Sequence, residues 1–502
     1  MLFLGIDLGS SSIKLSVIDG ETGRCLGSTQ YPEKELSIDS PRAGWAEQDP
    51  EEWWDCVQKG CRILFAKPGI DSAQIQAIGI SYQMHGLVVV DEKHQVLRPA
   101  IIWCDSRAVD VGQAAFDNLG STYCFGHLLN SPGNFTAAKL RWVQENEPEL
   151  FSRIHKIMLP GDFIAMKLTG EITTSPSSLS EATLWDFSER RLASDLLDHW
   201  GIDAGLVPSL VPNIGLQGDV STQAAQALGL GSGVKVTYRA GDQPNNAFSL
   251  KVLEPGEVAA TAGTSGVIYG VTDKPVADNQ SRVNTFLHVT DTPEHHRNGV
   301  LVCVNGTGRL YSWLRQLLSA GGDIDYQRLN ELSAAVAVGS EGLKLYPFGN
   351  GAERIFQNRN LGGHINHIDF NRHGLGHIVR AAQEGIVFAL NQGFEVLKGL
   401  GGSCDVIRVA KGNMFLSDVF TRAFANTTQT TVELYQTDGA EGAARAAGLG
   451  YGFFSSQEEA FKGLIRQGTV EPETAMVSQY RDAYEQWVEE LPEQTASGCA
   501  VP

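Results

Sequence analysis

The sequence lacks long apolar runs and any cysteine pattern typical of a metal site. None of its uninterrupted apolar stretches approaches about 20 residues, and the first one stops at Asp7 without a basic segment before it. The eight cysteines are scattered and include no CxxC pair. Dispersed cysteines in a chain of this size are typical of reduced thiols rather than of a disulfide framework. We therefore expect a soluble, cytoplasmic protein with neither a signal peptide nor a membrane span.

Basic residues are scarce relative to acidic ones. The chain has 39 lysines and arginines against 58 aspartates and glutamates, which gives a formal net charge of -19. So acidic a surface repels phosphate backbones, which argues against nucleic acid and anionic membranes as main partners. A nucleotide can still bind where backbone N–H groups and a metal offset the global field, so Mg2+ is an expected cofactor.

The Walker A motif GxxxxGK[ST] is also missing, which excludes a P-loop as the nucleotide site. Residues 2–19 and 257–272 each read as two apolar runs around a short Gly/Ser/Thr turn, a pattern that predicts a β-hairpin. Turn N–H groups and hydroxyls can donate to phosphoryl oxygens. A plain hairpin is the better explanation of GTSG taken alone, but its counterpart GSSS near the start of the chain favours phosphate binding. The candidate residues are Ser11 and Ser12 in the first turn and Gly263, Thr264 and Ser265 in the second.

The remaining sequence is that of a large globular protein. Hydrophobic residues make up 42% and charged residues 19%, and 502 residues exceed one ordinary core. Asp49 and Pro50, followed by two glutamates, predict a helix start. Residues 135–151 predict one further helix, and IQAIGISYQ, RPAIIW and VKVTYRAG predict strands. These alternating signals in both halves indicate an α/β protein with two similar lobes, 1–246 and 247–502, and a frayed tail at TASGCAVP.

Two aspartates stand where chemistry is expected. Asp7 lies inside an apolar strand, where an acid costs free energy unless it has a partner such as Mg2+ or its coordinated water; a capped turn amide is an equally good explanation. Asp242 follows a strand in a predicted tight Gly–Asp turn, and ligands bind at the carboxyl ends of strands in open α/β sheets. A carboxylate there can accept the proton of an attacking hydroxyl, although a turn-forming aspartate explains the isolated residue. With the ordinary aspartate pKa of about 3.9, Asp242 is expected to be ionised at neutral pH.

Polar residues end two further strands. Gln83, Met84 and His85 follow one of them, and Asp105 follows the next, close to the flat aromatic side chain of Trp103. Hydrogen-bonding groups beside a stacking surface suit a polyhydroxylated ligand. A lone histidine is more often structural, but the two neighbouring strand ends indicate a shared crevice.

At these residues the sequence resembles the FGGY carbohydrate kinases, which form a two-lobed superfamily with actin, hexokinase and the Hsp70 ATPase. The resemblance extends from GIDLGSSSIK at residues 5–14 to EGAARAAGLG at residues 441–450. Within the family the chain is most similar to the xylulokinases, through GWAEQDP, QMHG, WCDSR and FTAAKLRWV. The implied fold is the ribonuclease H-like type, in which a deep cleft separates the lobes.

The resemblance implies an ATP-dependent, Mg2+-requiring kinase of xylose metabolism that converts D-xylulose to D-xylulose 5-phosphate. Asp242 matches the catalytic base and Asp7 the essential acid near the metal. Met84 and His85 match the sugar-binding pair, with Gln83 and Asp105 in the same segments. Further nucleotide contacts are implied at Gly308, Gly412 and Asn413, besides the turn at residues 263–265. Many members form homodimers.

Other functions stay open at this point. Gln243 and Pro244 follow Asp242, where xylulokinases usually have asparagine and small residues. Ribulose, a deoxy-ketose, a hexulose or gluconate are therefore alternative substrates. An ATP-dependent switch is an alternative from another class, but Asp242 at a strand end and the QMHG segment disfavour it, because a switch needs no sugar pocket. A catalytically silent sugar sensor, which would bind sugar without forming product, is a third alternative.

Overall fold

The computed structural model describes residues 1–319, 322, 324–351, 353–401 and 404–491. Its strands in the N-terminal half are β1 (Leu2–Leu8), β2 (Ile13–Asp19), β3 (Cys25–Tyr31), β4 (Glu47–Gln48), β5 (Ile75–Tyr82), β6 (Val88–Val90), β7 (Ala100–Ile101), β8 (Lys156–Met158), β9 (Thr173–Thr174), β10 (Trp185–Asp186), β11 (Arg191–Leu192), β12 (Ser209–Leu210), β13 (Ile214–Asp219) and β14 (Lys235–Gly241). The helices of this half are α1 (Pro50–Phe65), α2 (Val109–Leu119), α3 (Ser121–Tyr123), α4 (Thr136–Asn146), α5 (Pro148–Phe151), α6 (Pro160–Thr169), α7 (Pro176–Glu181), α8 (Ser194–Trp200), α9 (Thr222–Leu228) and α10 (Asp242–Ser249).

The C-terminal half repeats the alternation of strands and helices. Its strands are β15 (Val258–Ala262), β16 (Gly266–Thr272), β17 (Asn284–Leu287), β18 (Asn298–Val304), β19 (Lys344–Phe348), β20 (Gly362–Asn366), β21 (Val406–Ala410), β22 (Thr431–Gln436) and β23 (Ile465–Val470). Its helices are α11 (Thr307–Leu318), α12 (Tyr326–Ala334), α13 (Leu375–Gly399), α14 (Asp418–Thr428), α15 (Gly439–Gly450), α16 (Gln457–Ala460) and α17 (Thr474–Glu489).

The two central sheets share the same spatial order of parallel and antiparallel strands, to which the C-terminal sheet adds the edge strand β17. The N-terminal sheet has the strand order β13-β14-β5-β1-β2-β3, in which β1, β2 and β3 are antiparallel and β1, β5 and β14 are parallel. The C-terminal sheet has the order β17-β18-β16-β15-β21-β22-β23, in which β15, β16 and β18 are antiparallel and β15, β21 and β22 are parallel. An antiparallel strand borders the parallel strands in both sheets. This repeat confirms the predicted α/β fold of two similar lobes.

Two helices cross between the lobes. Helix α10 ends the N-terminal half, yet Ala247 and Leu250 at its end pack with Val267 and Tyr269 of the C-terminal sheet. Helix α15 belongs to the C-terminal half, yet its alanines pack with Phe3 and with other side chains of the N-terminal sheet. Each lobe therefore takes part of its core from the other half of the chain. The boundary predicted after residue 246 falls inside α10.

The contact between α15 and the N-terminal sheet is close at the backbone level. A Cβ atom on Gly5 of β1 would lie 1.8 Å from the carbonyl oxygen of Ala440. A Cβ atom on Gly79 of β5 would lie 2.0 Å from the carbonyl oxygen of Ala443. The glycines in the strands and the alanines in the helix therefore allow two backbones to meet where ordinary side chains would hold them apart.

Most of the predicted elements are present, with some corrections. Both hairpins form, and the Asp49 side chain caps α1 by accepting from the Glu51 N–H, with Pro50 in the first turn. The helix predicted over residues 135–151 is instead two helices, because Pro148 disfavours helical geometry at the residue before it. RPAIIW supplies only the two-residue strand β7. The predicted tail lies outside the described residues.

Asp242 differs from its predicted setting. The sequence suggested a tight turn, but Asp242 is the first residue of α10, directly after β14. Proline is tolerated in a helical first turn because the N–H groups there have no intrahelical acceptor, so Pro244 does not prevent the helix.

The cysteines and the helices bear on two expectations from the sequence, namely reduced thiols and the absence of a membrane span. The seven cysteines in the described part of the chain are all free, in agreement with the expected reduced thiols. Across the same residues, every helix is too short or too polar to cross a membrane.

Candidate active site

A cavity of about 710 Å³ lies between the two lobes. Ten of the residues singled out in the sequence line it, six from the N-terminal half and four from the C-terminal half: Asp7, Gln83, Met84, His85, Trp103 and Asp242, and Gly263, Ser265, Gly412 and Asn413. Residues separated by up to 406 positions therefore meet in one cleft, as expected when strand ends of two facing sheets converge.

Asp242 lies in the cavity at the N-terminus of α10. Burial and the negative charge of Asp7 together raise the pKa of its carboxyl to about 7, against hydrogen bonds from Gln243 that lower it. The expected ordinary aspartate pKa is therefore wrong for this environment. The pKa of Asp242 is therefore close to neutral pH, which is the range in which a general base is most effective.

Asp7 lies on β1 with few partners for its charge. Ser81 Oγ donates to its Oδ1 over 2.7 Å. Burial raises the pKa of Asp7, and the Asp438 carboxylate acts in the same direction, whereas Lys14 lowers it. Buried carboxylates that repel one another favour a bound cation.

Asp7 supplies one carboxylate that Mg2+ can use in the cleft. Among the described residues, no cluster of three or more His, Cys, Asp or Glu side chains could hold a metal by itself. Mg2+ is usually bound through one or two carboxylates, with water and substrate phosphates as its other ligands. Asp7 therefore fits such a site.

The second predicted phosphate turn is braced by the start of α11. Gly308 N–H donates to the Gly263 carbonyl over 2.8 Å, and Arg309 N–H donates to the Thr264 carbonyl over 3.1 Å. A Cβ atom on Gly308 would lie 2.3 Å from that Gly263 oxygen. Gly308 and Thr264 thus lie at the turn without lining the cavity, whereas Gly263 and Ser265 line it.

The first predicted phosphate turn lies outside the cavity wall. The Ser11 carbonyl accepts from Leu36 N–H, and the Ser12 carbonyl accepts from Gly9 N–H. Neither serine lines the cavity, but Lys14, the hairpin partner of Asp7, does. This lysine was not predicted from the sequence, although the register of the hairpin pairs it with Asp7.

His85 is held in one orientation by its neighbours. Its backbone is in the left-handed region, with φ of 60°. Its N–H donates to the Glu181 carboxylate over 3.1 Å, and Nδ1–H donates to the Glu181 carbonyl over 2.9 Å. Burial, and to a smaller extent the positive charge of Lys139, lowers the pKa of His85 to about 3. The imidazole is therefore neutral, with Nε2 available as an acceptor.

Asp105 is behind the cavity wall rather than in it. Its buried carboxylate accepts from the Ala46 N–H over 2.6 Å and from the Arg107 guanidinium over 2.7 Å. The direct contact with a sugar that was expected from the sequence is therefore not available to this side chain. Trp103, from the same segment, does line the cavity.

Several cavity residues offer polar groups to a ligand, and of these Asn134, Asn284 and Arg354 were not singled out in the sequence. Gln83 Oε1, Asn134 Oδ1 and Asn284 Oδ1 all belong to residues that line the cavity, and these buried oxygens have no hydrogen-bond partner within the described residues. Arg354 also lines it, and its Nε donates to the Ser281 carbonyl over 3.0 Å. Unpaired acceptors beside a neutral histidine suit a ligand that is rich in hydroxyl donors.

The chain is similar to sugar kinases over almost its whole length. Sequence models of the N-terminal and C-terminal domains of the FGGY family of carbohydrate kinases match residues 2–249 and 258–451. A xylulose kinase from Lactococcus lactis is 30% identical, covering 96% of this chain and 95% of the relative, and one from Bacillus subtilis is 28% identical, with the same coverage.

Solved structures agree with this assignment. A xyloylose kinase from Brucella ovis superposes with a TM-score of 0.87 at 26% identity, covering 98% of this chain and 99% of that one. A gluconate kinase from Lactobacillus acidophilus superposes with a TM-score of 0.86 at 22% identity and shares the fold, covering 97% of each chain. The chain therefore belongs to the FGGY family of carbohydrate kinases and is an enzyme that phosphorylates a sugar at the expense of ATP.

Proposed function

We propose that the protein is a xylulose kinase, which transfers the γ-phosphoryl group of ATP to the terminal hydroxyl of D-xylulose to give D-xylulose 5-phosphate. The observation that carries this proposal is the set of unpaired amide oxygens around a neutral His85, in the same cavity as Asp242. A ketose offers several hydroxyl donors to such acceptors and no charge to desolvate. The names of the relatives in Lactococcus lactis and Bacillus subtilis support the same sugar.

We assign the sugar and the base to the lobe of residues 1–246 and the nucleotide mainly to the lobe of residues 247–502. Gln83, Met84 and His85 contact the ketose, while Gly263 and Ser265 hold the phosphates. Gly412 and Asn413 line the same cavity and hold the rest of the nucleotide. This division places the two reactants on facing walls of one cleft, where closure excludes water from the transferring group.

Asp242 is the general base of this proposal. Its carboxylate accepts the proton of the terminal hydroxyl as that oxygen attacks the γ-phosphorus, and the bond from phosphorus to the β,γ-bridging oxygen breaks. Asp7 would hold Mg2+, which when bound offsets the charge of the phosphates. Lys14, opposite Asp7 in the hairpin, adds a positive charge to the same wall.

The acidic limb of the pH–rate profile is expected near pH 7. The base works only when deprotonated, and burial together with Asp7 raises the pKa of Asp242 to about 7. Activity should therefore fall as the pH drops through this value. Initial rates with both substrates well below saturation report the free enzyme. Asp7→Asn removes a negative charge that raises the pKa of Asp242, so it should move the acidic limb to lower pH even if the maximal rate also changes. A limb at the ordinary aspartate pKa would contradict the assigned environment.

The sugar itself is tested with a panel in a coupled assay of ADP release. D-Xylulose is expected to give the highest kcat/KM, ahead of D-ribulose, 1-deoxy-D-xylulose, D-fructose and D-gluconate. Loss of one hydrogen-bonded hydroxyl from a site built to accept it should cost the deoxy-ketose roughly tenfold or more. If another sugar gives the highest kcat/KM, the protein is still a sugar kinase, but D-xylulose is wrong as its substrate. ADP release that no sugar stimulates would contradict sugar phosphorylation by this cleft.

A sugar acid is the second candidate substrate, because a cation lines the cavity. The guanidinium of Arg354 lies 5.8 Å from the centre of the Phe135 ring, which itself lies 4.7 Å from the His85 ring. Guanidinium groups bind carboxylates in a bidentate manner. D-Gluconate in the panel therefore tests this alternative, and Arg354→Gln should selectively weaken it.

A further inference from the structure

We propose that Asn284, on the edge strand of the C-terminal sheet, accepts a hydrogen bond from a hydroxyl of the sugar, so that both lobes build the sugar pocket. This role rests on the proposed function and extends it to a residue of the opposite lobe. It also assigns a positioning role to Asn130, which holds the strand of Asn284 against the N-terminal lobe.

Asn284 is a buried polar residue with an unmet acceptor. It is the first residue of β17, lines the cavity and is only 7% exposed. Its Oδ1 has no hydrogen-bond partner among the residues that the structure describes. Buried polar atoms in native proteins nearly always have partners, so an orphan acceptor in a substrate cleft indicates a donor supplied by a ligand. A sugar hydroxyl is such a donor.

The strand of Asn284 touches the sugar-binding residues of the other lobe. Phe286, two residues further along β17, is 1% exposed and clusters with Met84 and Phe135. The Phe286 ring lies 5.3 Å from the His85 ring and 5.9 Å from the Phe135 ring. Residues i and i+2 of a strand point to the same side, so Asn284 and Phe286 share the side that contacts the His85 region.

Side chains of the N-terminal lobe hold β17 along its backbone. Asn130 Nδ2 donates to the Thr285 carbonyl over 2.7 Å, and the Thr285 N–H donates to Asn130 Oδ1 over 3.1 Å. Leu287 N–H donates to Ser180 Oγ over 2.9 Å, and Ser177 Oγ donates to the Leu287 carbonyl over 3.2 Å. Edge strands normally leave such groups unpaired. These four bonds pin the strand to the lobe that carries His85, so that Asn284 is pre-positioned for the sugar.

A neighbouring asparagine provides a matched control. Asn298 on β18 pairs in register with Leu287, is 4% exposed and donates from Nδ2 to the Lys274 carbonyl over 3.1 Å. It does not line the cavity. The two asparagines thus share sheet, burial and residue type, and differ in their access to the cleft.

The test compares steady-state kinetics of Asn284→Leu, Asn130→Ala and Asn298→Leu with those of the full-length wild type. The probe is D-xylulose, or the sugar of the panel that the wild type phosphorylates fastest. Asn284→Leu should raise the KM for the sugar about tenfold or more, with the KM for ATP unchanged. Asn130→Ala should raise the sugar KM several-fold through loss of positioning, and Asn298→Leu should leave both constants near wild type. Thermal unfolding of each variant without ligands checks the fold.

The outcomes separate this role from the proposed function. A wild type that phosphorylates the sugar, together with an unchanged sugar KM in a folded Asn284→Leu protein, would overturn the role of Asn284 alone. Equal rises of the sugar KM and the ATP KM would overturn it as well, since they indicate a general distortion of the cleft. A wild type without activity on any sugar would contradict the proposed function and this role with it.

Discussion

Asp242→Asn is expected to lower kcat for sugar-dependent ADP release by roughly 10³-fold or more, while sugar binding survives. The amide occupies the same volume at the start of α10 but cannot accept the hydroxyl proton. It also removes a buried negative charge that Asp7 and burial disfavour, so the variant should be at least as stable as the wild type. The coupled ADP assay measures the loss of kcat. Titration of the protein with D-xylulose measures sugar binding.

Asp110→Asn is the matched control for this substitution. Asp110 lies in the first turn of α2, as Asp242 does in α10, but it is exposed and outside the cleft. It should keep wild-type kinetics. Residual activity above a tenth of wild type in Asp242→Asn would exclude this carboxylate as the base. Loss of sugar binding in the same variant would assign Asp242 to binding rather than to proton transfer.

Gly5→Ala is expected to destabilise the protein by about 3 kcal/mol or more, since overpacking a close contact usually costs about 1–3 kcal/mol and here the obstacle is backbone. The added Cβ would lie 1.8 Å from the Ala440 carbonyl oxygen, so α15 must move away from β1. Gly439 begins this helix next to the Asp7 carboxylate, where its own Cβ would lie 2.6 Å from Oδ2. Displacement of α15 should therefore lower activity in addition to stability.

Thermal unfolding followed by circular dichroism, with the yield of folded protein, checks the second prediction. Gly126→Ala is the control, because a Cβ atom at Gly126 would meet no atom within 4 Å apart from its immediate chain and helix neighbours. It should leave the Tm within a degree or so of wild type, since surface changes away from such contacts have small effects. A Tm of Gly5→Ala equal to that of Gly126→Ala would mean that α15 adjusts freely to the sheet.

Local chemistry made much of the fold predictable. The hairpins followed from apolar runs around glycine-rich turns, and α1 followed from Asp49 and Pro50, because these signals act within a few residues. The start of α10 was not predicted, because a Gly–Asp pair after a strand is also typical of a turn, and Pro244 is compatible with a helix only in its first turn. The crossing of α10 and α15 depends on packing over long sequence separations, which no local pattern encodes.

The candidate site likewise has residues that the local sequence predicts and residues whose role depends on contacts between distant segments. Asp7, His85 and Asp242 were recognisable as polar residues at strands, but the raised pKa of Asp242 depends on burial and on Asp7, 235 positions earlier. Asp105 looked like a cavity residue from its segment, yet its carboxylate turns to Arg107. Asn284 carried no signal in the sequence, since its importance comes from an oxygen without a partner in a cleft formed by other segments.

The exchange of helices between lobes means that the two halves are not separable modules. A fragment ending before α15 would leave the N-terminal sheet without the helix that covers Gly5 and Gly79, and a fragment starting after α10 would leave Val267 and Tyr269 without their cover. Neither could be grafted onto another protein as a free-standing sugar-binding or nucleotide-binding unit. A chimera with a related kinase that is meant to change sugar specificity should therefore keep α10 and α15 from the same parent as the sheets that they cover.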